Sequence, residues 1–228
     1  MADFASEHAN IIAEYCSDMI NIERAIFITG SSFTKGQKLL LSTHSIVMLY
    51  SIWEGFVTKS FQLYADYINS QHVTYNEVNE SILIYNMESR FKQFKNYPLD
   101  MKKRGKFFTD LYTHYQSNVC EIPTNVNTES NVSFKVLNKL LLTFGLETFP
   151  ENWSDYKTPK TNLKATLNDF LRYRHAIAHG GDISNEEAIT QDVYSRYRSL
   201  VRDLMYGMHS RFLDGISNKT YKKDIREQ

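Results

Sequence analysis

Apolar positions recur along this chain with helical spacing almost from end to end, and no stretch alternates apolar with polar as a half-buried strand would. A first helix is predicted from about Phe4 to Ile28, with Ile11, Ile12, Tyr15, Met19 and Ile22 along one face. The run TGSSFTKG breaks it. An unusually long second helix follows from about Lys35 to Ile68, carrying Leu40, Val47, Tyr50, Trp53, Phe56 and Phe61. A helix so rich in apolar residues is expected to be the spine of a bundle.

Beyond it, Thr74 and Glu77 have the spacing of a capping box and predict a helix running to about Phe94. Pro98, in NYPLDMKKRGK, ends that helix, and another is expected from about Lys106 to Ser117. CEIPTNVNTESNVS and FPENWSDYKTPK read as loops. Between them lies a helix from Ser133 to Leu146, with Gly145 as its stop. Thr161 can cap the next helix, which Gly180 and Gly181 terminate, and a last helix runs from about Thr190 to Ile216. The expected fold class is an all-α, single-domain helical bundle over residues 1–228, with a long central helix and an elaborated helical insert at about 75–160.

Twenty-six basic and twenty-six acidic residues cancel, so no overall field draws the chain to nucleic acid or membrane; an anionic partner needs a local patch. Cys16 and Cys120 have no metal or redox spacing and read as reduced thiols. The start, MADFASEHAN, lacks a signal-peptide pattern. The most apolar run, Leu39 to Phe56, contains His44 and Glu54 and is too short between charges to span a membrane. The expectation is a soluble, cytoplasmic protein with no membrane contact.

One stretch changes this plain picture. RYRHAIAHGG, residues 172–181, puts two arginines and two histidines at the end of a predicted helix. At about 100° per residue, Arg172, His175 and His179 share one face, while Arg174 lies about 140° from His179 on the face of Leu167, Leu171 and Ala178. That face should be buried, and a buried guanidinium needs a partner; Glu54, the acid within the apolar run, is the expected one. Imidazole can exchange a proton with a hydroxyl or an alkoxide near neutral pH, and guanidinium can clamp phosphate oxygens. Together, without a carboxylate cluster for magnesium, they suit metal-independent RNA cleavage, in which the neighbouring 2′-hydroxyl is the nucleophile.

Plainer readings stand beside this one. Basic residues in a last helical turn complement the helix dipole, and His179 before Gly180 can serve as a cap. His175 and His179 at i, i+4 could ligate zinc, although no third ligand is evident. MKKRGK, residues 101–106, is either a solvated turn or a contact for RNA phosphate.

The stretch RYRHAIAHG resembles the signature of the HEPN superfamily, an arginine followed by a polar residue and, a few positions on, a histidine; Arg174, His175 and His179 fill it. LYSIWEGF, NVSFKVLNKLLLTFGLE and EEAITQDVYSRYRSLVRDL, in that order, resemble segments of its RiboL-PSP-like, MAE-type branch, whereas about 70–125 matches nothing in it. His175 departs from the commoner asparagine. The resemblance implies a helical bundle that pairs into a homodimer and a metal-independent, cofactor-free endoribonuclease acting as a toxin or antiphage effector. His179 would be the general acid or base and Arg174 the phosphate clamp, with His175 assisting; Arg172, which shares the histidine face, and Glu54 would support them. The RNA would be tRNA or mRNA, and an antitoxin or sensor partner would hold the activity in check. A non-catalytic HEPN scaffold or sensor subunit is the competing implication. Toxins silenced on a tyrosine just past the histidine are not matched, because Gly180 and Gly181 stand there.

Overall fold

The computed structural model describes residues 2–29, 32–116, 118–128, 131–153, 162–178 and 188–223. Among them are seven α-helices and no strand; the only bridges are the isolated pairs Thr74–Val119, Val78–Lys222 and Asn152–Asn162. The chain is an all-α bundle.

Helix α1 (Ala2–Glu23) passes into one π-helical turn (Arg24–Ile28), which Thr29 closes by donating both its N–H and its hydroxyl to Arg24 O. Helix α2 (Lys35–Ser70) opens on a complete capping box: Gln37 N–H donates to Thr34 Oγ1 at 3.3 Å, and Thr34 N–H donates to Gln37 Oε1 at 2.9 Å. Its inner face, including Ile46, Tyr50, Trp53, Val57, Phe61 and Tyr64, is shut off from water. Burying each such side chain contributes about 1.5–3 kcal/mol. Helices α1, α6 (Leu163–Ala178) and α7 (Gln191–Asn218) pack against α2, which is the expected spine.

Polar contacts between helices fix their register. Glu23, almost buried at the end of α1, pairs with Arg198 of α7 and accepts the Ser195 hydroxyl, while Tyr194 donates to Met19 O at 2.9 Å. Farther along, fully buried His8 of α1 contacts Ser60 Oγ of α2 at 2.9 Å through Nε2 and His209 of α7 at 2.8 Å through Nδ1. Cys16 and Cys120 are free thiols, and burial pushes both pKa values up.

The middle of the chain departs most from expectation. Thr74 and Glu77 do interact, the Glu77 carboxylate accepting both the N–H and the hydroxyl of Thr74, but no helix starts there. Thr74 and Tyr75 pair instead with Val119 and Asn118, and residues 77–79 with the C-terminal segment: Asn79 N–H donates to Tyr221 O, and Lys223 N–H donates to Glu77 O. Helix α3 (Glu80–Arg90) therefore begins later, capped by Asn79, and a short 3₁₀ turn (Lys92–Phe94) follows it. Helix α4 (Met101–Gln116) starts five residues before the expected Lys106, because Asp100 caps it by accepting Lys103 N–H at 3.0 Å. MKKRGK is thus a helix start, not a turn.

Helix α5 (Phe134–Thr143) agrees with prediction. Ser133 caps it, and Gly145 at φ +69 carries the chain away; a Cβ there would stand 2.8 Å from Thr220 O. The Thr161 cap lies outside the described residues; the cap on α6 that is described is Asn162, whose Oδ1 accepts Ala165 N–H at 2.7 Å. Thr190 caps α7 as expected. Side chains from α5 and Cys120, Ile122, Val126 and Val132 before it join α1, α2, α6 and α7 in one continuous core.

His8 makes that core sensitive to acid. Burial first, and then the neighbouring His209, lower its pKa to about 4. Between pH 6.5 and 4 the unfolded chain holds a proton that the folded one does not, so stability is full above 6.5 and falls with pH through that window. The loss attributable to His8 should reach about 3 kcal/mol near pH 4. Urea denaturation from pH 7 to 4 should show this slope, and His8→Gln should flatten it; equal slopes in both proteins would exclude His8 as the source.

Candidate active site

The spacing of Leu163, Leu167, Phe170 and Leu171 turns one side of α6 into the core, where all four are buried. Phe170 meets Tyr50 of α2 edge-on at 5.8 Å between centroids and stacks on Tyr197 of α7 at 5.0 Å. These contacts bring the arginine–histidine helix onto the middle of the spine.

Arg174 leaves this buried side half-exposed, and its guanidinium carbon lies 4.8 Å from the centroid of the Tyr50 ring. A cation so placed is stabilised by about 0.5–2 kcal/mol. The expected ion pair with Glu54 is not formed: Glu54 accepts the Thr128 hydroxyl at 3.2 Å instead. Periodicity placed both residues on facing sides but could not show that an aromatic ring occupies the space the carboxylate would need. The described contacts of Arg174 include no carboxylate, so its N–H donors are not committed to an ion pair.

Tyr50 is itself tightly held. Its hydroxyl accepts Val132 N–H at 2.7 Å, and Trp53 Nε1–H donates to Val132 O at 3.4 Å. Burial pushes the Tyr50 pKa up to about 12; the hydrogen bond from Val132 and the positive charge of Arg174 act against that rise, and the charge of Glu54 adds to it. The phenol therefore stays neutral and presents its ring to the guanidinium.

Arg172 is exposed and pairs with Asp169 at 3.5 Å, one helical turn back. Such a pair contributes little to stability. His175 is half-buried on α6, about 100° around the helix from Arg174. His179, Gly180 and Gly181 lie outside the described residues. The structure thus brings Arg174, Tyr50, Glu54 and Thr128 together; Arg172 and His175 lie on the same helix, toward another side. Tyr50 and Thr128 were missed as site residues, although the i, i+4 spacing of Tyr50 and Glu54 on α2 was there to be read. Among the described residues no three His, Cys, Asp or Glu side chains come together to hold a metal ion, and no helix is long and apolar enough to cross a membrane.

An all-α bundle with a long buried spine, against which an arginine–histidine helix is laid, defines a HEPN-like helical protein. The chain belongs to the RiboL-PSP-HEPN family, whose model matches residues 11–214. No curated protein and no solved structure matches the chain.

Tyr50→Phe separates the two duties of this residue. It keeps the ring under Arg174 and leaves Val132 N–H without its acceptor in a buried setting. Stability should fall by about 1–3 kcal/mol, read as a lower midpoint in denaturant with an unchanged slope. An unshifted midpoint would mean that the hydrogen bond contributes nothing.

Proposed function

We propose that this protein is a metal-independent endoribonuclease of the HEPN type, a toxin or antiphage effector that cleaves RNA by attack of the neighbouring 2′-hydroxyl. Family membership supports a HEPN ribonuclease or a related scaffold. The observation that favours the enzyme is the setting of Arg174: a half-buried guanidinium supported by a ring, with no carboxylate among its described contacts. Glu54, the acid on the facing helix, is bonded elsewhere, which leaves the guanidinium's donors available to a ligand. A guanidinium so prepared suits a phosphate oxyanion, whose charge grows as the 2′-oxygen attacks phosphorus.

In this reading Arg174 clamps the phosphate and stabilises that charge. His179 takes the proton from the 2′-hydroxyl or returns one to the departing 5′-oxygen, and His175 assists from the neighbouring position. Tyr50 positions Arg174 without touching the reacting atoms. Arg172 attracts the strand from the exposed side. HEPN domains commonly pair, and a second copy would bring another arginine–histidine set to the same cleft.

Wild type, Arg174→Ala and His179→Ala should be incubated with end-labelled tRNA, an unstructured mRNA fragment and matching DNA, all in excess EDTA. Wild type should cut RNA and leave 2′,3′-cyclic phosphate ends, while each variant should lose about 10²–10⁴ in rate. Tyr50→Leu should lose rate while Tyr50→Phe keeps it, because only the latter retains the ring. No cutting by wild type with any RNA, or equal cutting by all variants, would reject this reading in favour of a non-catalytic scaffold or sensor subunit.

A further inference from the structure

From Arg90 to Lys106 the chain carries seven basic residues against one acid, Asp100, although the whole protein balances at twenty-six of each. The remainder is consequently acidic, with nineteen basic residues against twenty-five acidic ones. The segment spans the end of α3, the 3₁₀ turn and the first turns of α4.

Fold contacts account for two of these cations: Arg90 donates to Glu121 O and pairs with its carboxylate, and Arg104 donates to Pro98 O and lies over the Tyr97 ring. They do not account for the lysines. The side chains of Lys92, Lys102, Lys103 and Lys106 are exposed and make no ion pair or hydrogen bond among the described residues. Lys95 reaches Glu88 only across 3.9 Å between exposed ends, a pair of little energetic weight. Three of the cations, Lys102, Lys103 and Arg104, stand in the opening turn of α4, which holds no acidic residue. Cations there oppose the helix dipole and cost stability.

The same segment and the rest of α4 expose rings. Phe107 is buried at the centre of a small aromatic cluster, with Phe94 at 5.4 Å, Tyr97 at 6.4 Å and Phe108 at 5.2 Å between centroids. The outer members remain open: Phe94 is 49 % exposed, Tyr97 51 % and Phe108 54 %, and Tyr112, a turn beyond, is 65 % exposed. On α4, Met101, Phe108, Tyr112 and Tyr115 fall on one face. Lys102 and Lys106 stand about 110° and 150° farther round the helix, on its exposed side, whereas Phe107, Leu111 and His114 turn toward the core on the other. His114 contacts the hydroxyl of buried Tyr75 at 2.5 Å and so ties the platform to the core.

Charge complementarity selects the occupant. Four exposed lysines that pair with nothing among the described residues, within a segment of seven cations and one acid, call for a polyanion. From residue 90 to the end of α4 the exposed apolar side chains are five rings, Phe94, Tyr97, Phe108, Tyr112 and Tyr115, with Leu99 and Met101. Ring faces take stacked bases, and cations on the same helix take the phosphates that join them. We infer that the 3₁₀ turn and α4 form a docking platform for single-stranded RNA that crosses the helix, with bases stacking on Phe108 and Tyr112 along one side and phosphates neutralised along the other by Lys102, Lys103 and Lys106. The choice of RNA over DNA rests on the ribonuclease reading; the stacking and charge arguments need only a single-stranded nucleic acid.

The test measures binding apart from cleavage. A fluorescein-labelled, unstructured RNA of about twenty nucleotides, longer than the ~4–16 that a stacking groove covers, is titrated in EDTA against full-length His179→Ala protein, which spares the probe. Binding should weaken with salt, with a log–log slope of about −2 from three phosphate contacts. Changing Lys102, Lys103 and Lys106 together to Gln should cost about tenfold or more in affinity and abolish most of that slope. Tyr112→Leu, which keeps apolar bulk, should weaken binding about tenfold, while Tyr112→Phe should not. No binding at low salt, or binding unmoved by the triple Gln variant, would overturn the platform. So would sedimentation with phosphatidylserine vesicles without RNA binding, or loss of a dimer in Tyr112→Leu with RNA affinity intact. RNA bound here but never cut by wild type would sink only the ribonuclease reading. RNA cut by wild type with affinity indifferent to these substitutions would sink only the platform.

Discussion

A helix of 36 residues, about 54 Å long, cannot keep one face dry against a single neighbour, so α1, α6 and α7 must share the inner face of α2 between them. That face is apolar except for the serines Ser45 and Ser60 and the polar tips of its rings, and buried polar atoms need partners. At Tyr50 and Trp53 the need is met twice by one residue: Val132 gives its N–H to the tyrosine hydroxyl and takes the indole N–H on its carbonyl. This contact draws the irregular chain before α5 onto the spine. It also locks the Tyr50 ring in the place where α6 lays Arg174 over it. The demand for a dry spine and the support of the candidate site therefore meet in one side chain.

The kind of support matters chemically. A carboxylate beside Arg174 would have taken some of its five N–H donors and cancelled its charge. A ring face holds the cation by its quadrupole and takes no donor. Glu54, one turn along from Tyr50, could have provided the carboxylate, and the hydroxyl of Thr128 holds it instead. Two hydrogen bonds from the segment between α4 and α5, one to Tyr50 and one to Glu54, thus set both what Arg174 has beneath it and what it lacks.

The helices whose signals are local were legible from the sequence. The apolar period and flanking polar residues marked α2, the Ser133 start with Gly145 marked α5, and the Thr190 start marked α7; all three form within a few residues of expectation. The errors share a cause. Thr74 and Glu77 carry a helix-opening pattern, yet a distant C-terminal segment pairs with residues 78 and 79 and defers the helix. MKKRGK reads as a turn with a helix expected only from about Lys106, yet the Asp100 cap starts α4 at Met101. At the site, spacing sorted Arg172 and Arg174 onto different sides of α6 and named Tyr50 as a spine residue. It could not pair residues across helices, because the period of one helix says which side faces inward and nothing about which side chain waits there.

Balanced charge over a whole chain is weak guidance for the same reason: it sums over distances that screening makes irrelevant. At physiological ionic strength charges separated by more than about 8 Å of water scarcely sense each other. The excess of cations at 90–106 therefore acts on its own surroundings, and the acidic excess elsewhere does not cancel it there. Such a division gives a protein a local attraction for a polyanion, while the rest of its surface repels indiscriminate contact with the same polyanion. A neutral ribonuclease built this way would meet RNA in one orientation. Its selectivity would begin with how the strand arrives, before any phosphate reaches Arg174.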